Sequence, residues 1–230
     1  MNEVMISINN LSKNYQIGEI VVPALREIDL SLEKGKFFFV LGPSGCGKTT
    51  LLNIIGGVDR ATEGTVISNS KTITQMHERQ LTIYRREDVG FIFQFYNLIP
   101  TLNAVENVEL AARLKFNDAY ERSMKVLEEV DLKDKTFKYP SQLSGGEQQR
   151  VAIARALVKE PEIVLADEPT GNIDTETGNK ILELMLDICR KRQTTFLVVT
   201  HNTGLAKKYA DEIIYLQDGK IFGTSTPIRE

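Results

Sequence analysis

Cysteine is scarce: Cys46 and Cys189 are the two in 230 residues. That is too few for a disulfide framework, and neither lies in a context resembling a metal-ligand pair, so a reducing compartment fits best. Long apolar runs are also missing. The longest, Phe37 to Gly42, falls far short of the roughly 20 residues needed to cross a bilayer, so no membrane span is expected. Neither charge dominates, with 28 Lys and Arg against 31 Asp and Glu. Bulk electrostatics therefore give no reason to expect a nucleic-acid partner. The start, Met1 to Asn10, lacks a basic segment followed by an apolar run and a small-residue cleavage site, so export is not expected. No repeat and no low-complexity linker divides the chain.

What is present is material for one substantial core, with 42% hydrophobic residues. Lys36 to Leu41, Glu162 to Asp167 and Thr194 to Thr200 are short, apolar in the middle and followed by polar residues. Such runs suit strands buried on both faces of a mostly parallel sheet. Thr101 to Leu114 and Asp118 to Val130 show helical spacing and form a candidate helical lobe. Alternating runs at Val4 to Ile8, Leu25 to Leu32 and Thr65 to Ser68 suit an antiparallel sheet on one flank. Asp218-Gly219, between Ile213 to Leu216 and Lys220 to Phe222, signals a terminal hairpin.

Gly42-Pro43-Ser44-Gly45-Cys46-Gly47-Lys48-Thr49 fits the Gly-x-x-x-x-Gly-Lys-[Ser/Thr] pattern, between an apolar strand and the helical run Thr50 to Ile55. Its glycines let backbone N–H groups turn toward phosphate oxygens. The helix N-terminus adds partial positive charge and Lys48 a full one, while Thr49 offers a hydroxyl to Mg²⁺. Cys46 reads as a small spacer.

Leu143-Ser144-Gly145-Gly146-Glu147 precedes a helical stretch from Gln148 to Val158, with Val151, Ala154, Leu157 and Val158 able to share a buried face. Ser144 and Glu147 satisfy a capping box. A cap does not need two glycines in the first turn, where each costs about 1 kcal/mol of helix propensity. Bare backbone there points to close approach of another group, and a phosphate is the natural candidate.

In this order, the phosphate loop, Leu143 to Arg150, and the acidic strand end Ile163-Val164-Leu165-Ala166-Asp167-Glu168 resemble the ATP-binding-cassette ATPases over essentially the whole chain. The resemblance implies an α/β fold: a P-loop NTPase core with a mostly parallel sheet, an N-terminal antiparallel β part and an inserted helical subdomain. Residues 1–93 and 160–230 would form the core of a single 1–230 domain, and about 95–158 the helical part. It implies ATP and Mg²⁺ as ligands, with Ser144, Gly145 and Gly146 of one copy meeting the γ-phosphate held by Gly42 to Thr50 of another. Asp167 resembles the residue that holds Mg²⁺ through water, and Glu168 the one that polarises the attacking water. Gln94 resembles the glutamine that reaches Mg²⁺ and water, His201 the switch histidine at the γ-phosphate, and Tyr15 the aromatic that stacks on adenine. Gly171-Asn172-Ile173-Asp174 matches the dimer-contact loop, with Asp174 in the aspartate position.

The resemblance further implies a second copy of the chain, a separate multi-span membrane permease, and a peripheral place on the cytoplasmic face of the membrane. Phe95-Tyr96-Asn97-Leu98-Ile99-Pro100 is unusually apolar for a loop. It either lines a groove for a helix of that partner or packs within the helical lobe. Arg85 to Gln94 and Asp167 to Asn172 look most like the branch serving macrolide efflux, lipoprotein release and antimicrobial-peptide resistance. Departures are Cys46, Thr49-Thr50 and a glycine-free Asn69-Ser70 turn. Competing expectations are a regulator of a membrane or cell-division complex and a soluble factor for DNA repair or translation. The latter usually carries two cassettes or a coiled-coil insertion, which this chain lacks. A GTP-binding switch is disfavoured because no Asn-Lys-x-Asp follows the phosphate loop.

Overall fold

In the computed structural model, which describes residues 3–227, side-chain alternation divides the core between two faces of one sheet. On β3 (Phe37–Leu41), Phe37, Phe39 and Leu41 point into one apolar cluster, and Phe38 and Val40 into another. β7 (Ile163–Asp167) and β8 (Thr195–Thr200) do the same: Val164, Ala166, Phe196 and Val198 face the first cluster, and Ile163, Leu165, Leu197 and Val199 the second. Both faces are therefore covered, which is why these strands are near-continuous apolar runs.

The sheet runs β10-β9-β3-β8-β7-β6, with β9 (Glu212–Gln217), β3, β8, β7 and β6 (Val89–Ile92) parallel. β10 (Lys220–Ser225) pairs antiparallel to β9 through the expected turn, where Asp218 and Gly219 both take positive φ, 47° and 76°. A second, antiparallel sheet orders β2-β1-β4-β5: Ile20–Glu33, Val4–Ile17, Glu63–Ser68 and Lys71–Thr72. It packs with α1 (Lys48–Ile55) and α2 (Glu78–Glu87) in the second cluster.

α3 (Ala104–Ala112), α4 (Ala119–Glu129) and α5 (Gly145–Leu157) pack on one another in the first cluster, joined there by α6 (Thr175–Arg192) and α7 (Thr203–Tyr209). Val151, Ala154, Leu157 and Val158 are all buried. β1 and β2 run on as a 14-residue pair, well beyond the short alternating segments expected, because bulges interrupt the alternation without breaking the ladder. α2, α6, α7 and β6 were not among the expected elements. The expected 1–230 span includes residues 1, 2 and 228–230, which lie outside the described residues. Among the described residues, no helix is long and apolar enough to cross a membrane.

Candidate active site

The carboxyl ends of β3, β7 and β8 lie side by side, so whatever follows each strand meets its neighbours there. After β3, the chain bends through Gly42 to Gly47 into α1. Gly47 sits at φ 105°, and a Cβ on it would lie 2.5 Å from the Ala24 carbonyl oxygen, so the turn needs glycine. The turn's outer side is braced by the terminal hairpin, where Gly219 N–H donates to the Cys46 carbonyl at 3.1 Å. Cys46 is buried in this turn.

Lys48, 8% exposed, folds over this turn: its Nζ donates to the Gly42 and Pro43 carbonyls, both at 2.8 Å. Thr49 Oγ1 donates to Asp167 Oδ2 at 2.9 Å, tying the first turn of α1 to the end of β7. Burial pushes the Asp167 carboxyl above the usual range, and the charge of Glu168 adds to this against the pull of Thr49 and Lys48. A cation placed here would relieve both effects.

Strand alternation predicts that Asp167 and Glu168 point opposite ways, and the structure shows otherwise. β7 ends at Asp167, and Glu168 takes a positive φ of 45°, which turns both carboxylates toward one cavity. That conformation is costly for a non-glycine residue and is held by its neighbours. Thr200 Oγ1 donates to Glu168 Oε2 at 3.0 Å, His201 Nδ1 lies 2.8 Å from Oε1, and Glu168 N–H donates to the Val199 carbonyl.

The cavity has a volume of about 680 Å³. Phosphate-loop residues Ser44, Gly45, Gly47, Lys48, Thr49 and Thr50 line one side, and Gln94, Asp167, Glu168 and His201 the other. Tyr15 is not among the lining residues; its hydroxyl lies beside Thr50, which is, and donates to Asp59 Oδ2 at 2.6 Å. Asp174 caps α6, accepting from Thr177 N–H at 3.0 Å, and lines a smaller cavity of about 170 Å³ that shares Glu168 and His201 with the first. Gly42 and Pro43 offer carbonyls to Lys48 behind the cavity wall.

Ser144, Gly145 and Gly146 do not reach this cavity. The capping box is formed: Ser144 N–H donates to Glu147 Oε2 at 2.8 Å, and Ser144 Oγ accepts from Glu147 N–H at 3.3 Å. Both glycines also have close neighbours within the chain. A Cβ on Gly146 would lie 2.4 Å from Thr177 Cγ2, and one on Gly145 would lie 2.9 Å from the Tyr96 hydroxyl. Side chains of α6 and of the Gln94 loop thus approach this helix start closely.

Thr200, Ala24 in the cavity wall and Arg155 of α5 were not expected here, nor was the bond from the Asn172 amide to the Gln94 carbonyl at 3.0 Å. Each acts through an element distant in sequence, so no local pattern marks it. The apolar loop after Gln94 divides: Leu98 packs against the first cluster, whereas Phe95 is 72% exposed and Ile99 42%.

The model for the ABC transporter family matches residues 25–171. An uncharacterized ABC transporter ATP-binding protein of Methanocaldococcus jannaschii, MJ0796, is 44% identical over 225 residues, covering 94% of this chain and 95% of that protein. The chain belongs to the ATP-binding subunits of ABC transporters. This cassette is accordingly an ATP-hydrolysing enzyme of the α/β P-loop fold. The lipoprotein-releasing system ATP-binding protein LolD of Syntrophus aciditrophicus is 44% identical over 220 residues, covering 94% of this chain and 98% of that protein. The MJ0796 cassette in a dimeric post-hydrolysis state, bound to ADP and Pi, matches with a TM-score of 0.90 at 39% identity, covering 98% of this chain and all of that one.

Proposed function

We propose that two copies of this cassette close around two ATP molecules and drive a separate membrane permease, for export or for transmitting force across the membrane. The observation that carries this is the position of the Ser144-Gly145-Gly146 helix start outside the cavity of its own chain. A helix N-terminus suited to an anion and a phosphate loop that lacks it are complementary halves, and two-fold pairing joins each to the other's copy. That MJ0796 is dimeric when bound to ADP and Pi supports an association of two copies.

Within each half, Gly42 to Thr50 would wrap the phosphates with backbone N–H groups, Tyr15 would stack on adenine, and Lys48 would exchange its carbonyl partners for phosphate oxygens. Glu168, already held by Thr200 and His201, would accept the proton of the attacking water, and His201 and Gln94 would orient the γ-phosphate and that water. Asp174 would face the opposite half. Thr49, Asp167 and Gln94 fit an Mg²⁺ ion that takes its other ligands from phosphate and water. Among the described residues, no cluster of three His, Cys, Asp or Glu could enclose a metal by itself. The ion would neutralise phosphate charge. Exposed Phe95 and Ile99 would receive a helix of the permease, placing the subunit peripherally on the membrane.

The test is a pull-down from native membranes with Glu168→Gln, ATP and Mg²⁺. Recovery of a multi-span membrane protein is expected. Recovery of soluble or nucleic-acid partners alone, from a variant that still dimerises with ATP, would replace the permease reading with that of a soluble factor.

A further inference from the structure

Lys13 is an unusual lysine for its place. It lies on β1 two residues before Tyr15, yet its side chain is only 12% exposed. Its Nζ donates to Asp59 Oδ1 at 2.7 Å and to the Arg60 carbonyl at 2.8 Å, and stands 4.7 Å from the centroid of the Tyr15 ring. The other oxygen of Asp59 accepts the Tyr15 hydroxyl at 2.6 Å. One carboxylate therefore fixes both the ammonium beneath the ring and the far end of the ring itself. Asp59 follows α1, the helix whose opposite end carries the phosphate loop. The group is thus anchored to the element that holds the phosphates.

The charges fit this arrangement. Burial raises the Asp59 carboxyl, but the hydrogen bonds from Lys13 and Tyr15 outweigh it and hold the group below the ordinary range, so it stays ionised. Burial, then the bond to Asp59, raises the Tyr15 phenol, so it keeps its proton and donates. Tyr15 remains 37% exposed, so it is not sealed off by these contacts.

Two aromatic faces both carry negative potential and repel when stacked squarely. A cation against one face of a ring draws on its π density and makes the other face less negative. We infer that Lys13 is a positioning residue for the nucleotide base: it locks the Tyr15 ring through Asp59 and tunes its open face to stack on electron-rich adenine. This rests on the reading of Tyr15 as the adenine platform.

The experiment is calorimetric titration of ADP and of inorganic pyrophosphate, each with Mg²⁺, into the wild type, Lys13→Met, Lys13→Arg and Tyr15→Ala. The ratio of the two affinities isolates what the nucleoside part contributes. Lys13→Met is expected to lower that ratio about three- to tenfold through weaker ADP binding, with pyrophosphate unchanged, and Lys13→Arg to recover most of it. Equal weakening of both ligands would show general structural support only and overturn the inference, as would an unchanged ratio. Tyr15→Ala separates the two readings. If it leaves the ratio unchanged, the platform falls and the Lys13 role with it; if it lowers the ratio and Lys13→Met does not, the Lys13 role alone falls.

Discussion

Arg155 Nη2 donates to the carbonyl oxygen of Tyr96 at 2.7 Å, joining α5 to the loop that carries Gln94. Its Nη1 reaches the Asn97 carbonyl at 2.5 Å. Tyr96 and Asn97 both hold positive φ, 59° and 50°, a conformation that other contacts must enforce. The Tyr96 side chain turns back over Gly145, so this loop touches α5 at its first turn and again near its last. A shift of Gln94 would therefore be felt by the helix that begins at Ser144.

Arg155→Met removes both donors from a largely buried place, where burial already lowers the guanidinium pKa. Stability is expected to fall by about 2 kcal/mol, since hydrogen bonds to charged groups contribute about 1.5 to 3 kcal/mol and the burial cost is recovered. ATP hydrolysis should fall while ADP still binds. Thermal unfolding and ADP titration check this; unchanged stability would show that the clamp carries no weight.

Glu168→Gln keeps the hydrogen-bonding shape of the side chain beside Thr200 and His201 but removes the base. Hydrolysis is expected to slow by about 10² to 10⁴, the usual range for a general base, with nucleotide affinity preserved. Single-turnover hydrolysis measures it. A variant hydrolysing at the normal rate would remove Glu168 from that role.

Lys159 gives a pH dependence of known sign. Its Nζ donates to the Arg85 and Val89 carbonyls, both at 2.8 Å, pinning the end of α5 to the junction of α2 and β6. Burial, with the charge of nearby Lys115, lowers it from the ordinary 10.5 to about 8. Between those values the unfolded chain holds a proton that the folded one has released, so folding is favoured as pH rises. The wild type should gain stability relative to Lys159→Met from about pH 8 to about pH 10.5, by roughly 3 kcal/mol at most. Denaturant unfolding at both ends of that window tests it, and a constant difference would contradict it.

Phe95→Glu or Ile99→Glu should abolish recovery of the permease while ADP binding is kept. Leu98, by contrast, is packed against the lobe's core, so Leu98→Glu should destabilise the fold. Retained assembly in Phe95→Glu and Ile99→Glu would remove this loop from the contact.

What could be read from sequence follows from how local each signal is. Phe37–Leu41 and Ile163–Asp167 announce themselves because strands covered on both faces need apolar residues at every position. The phosphate loop and the Ser144 cap are legible for a similar reason: consecutive residues do the work. β6 contains Gly90 and is too short to form a run, and α2 buries only Leu81 and Tyr84 among charges. α6 did carry a signal in Ile181, Leu182, Met185, Ile188 and Cys189, spaced as one helical face. Lys13, Asp59, Arg155 and Thr200 stayed hidden because their partners come from other elements. The turn that brings Glu168 beside Asp167 is a backbone conformation that no residue type there demands.

A site shared between two copies, with the phosphate loop of one and the Ser144 helix of the other as proposed above, can be tested by complementation. Lys48→Ala should silence the loop, and Ser144→Arg should block the helix start, so each variant alone is expected to be inactive. Mixed together, a pair with one chain of each kind contains one site with both lesions and one with neither. ATPase activity measured on the mixture should therefore reappear, at a fraction of the wild-type rate set by the share of mixed pairs. A mixture as inactive as its components, under conditions where the chains exchange partners, would contradict a site shared between two copies.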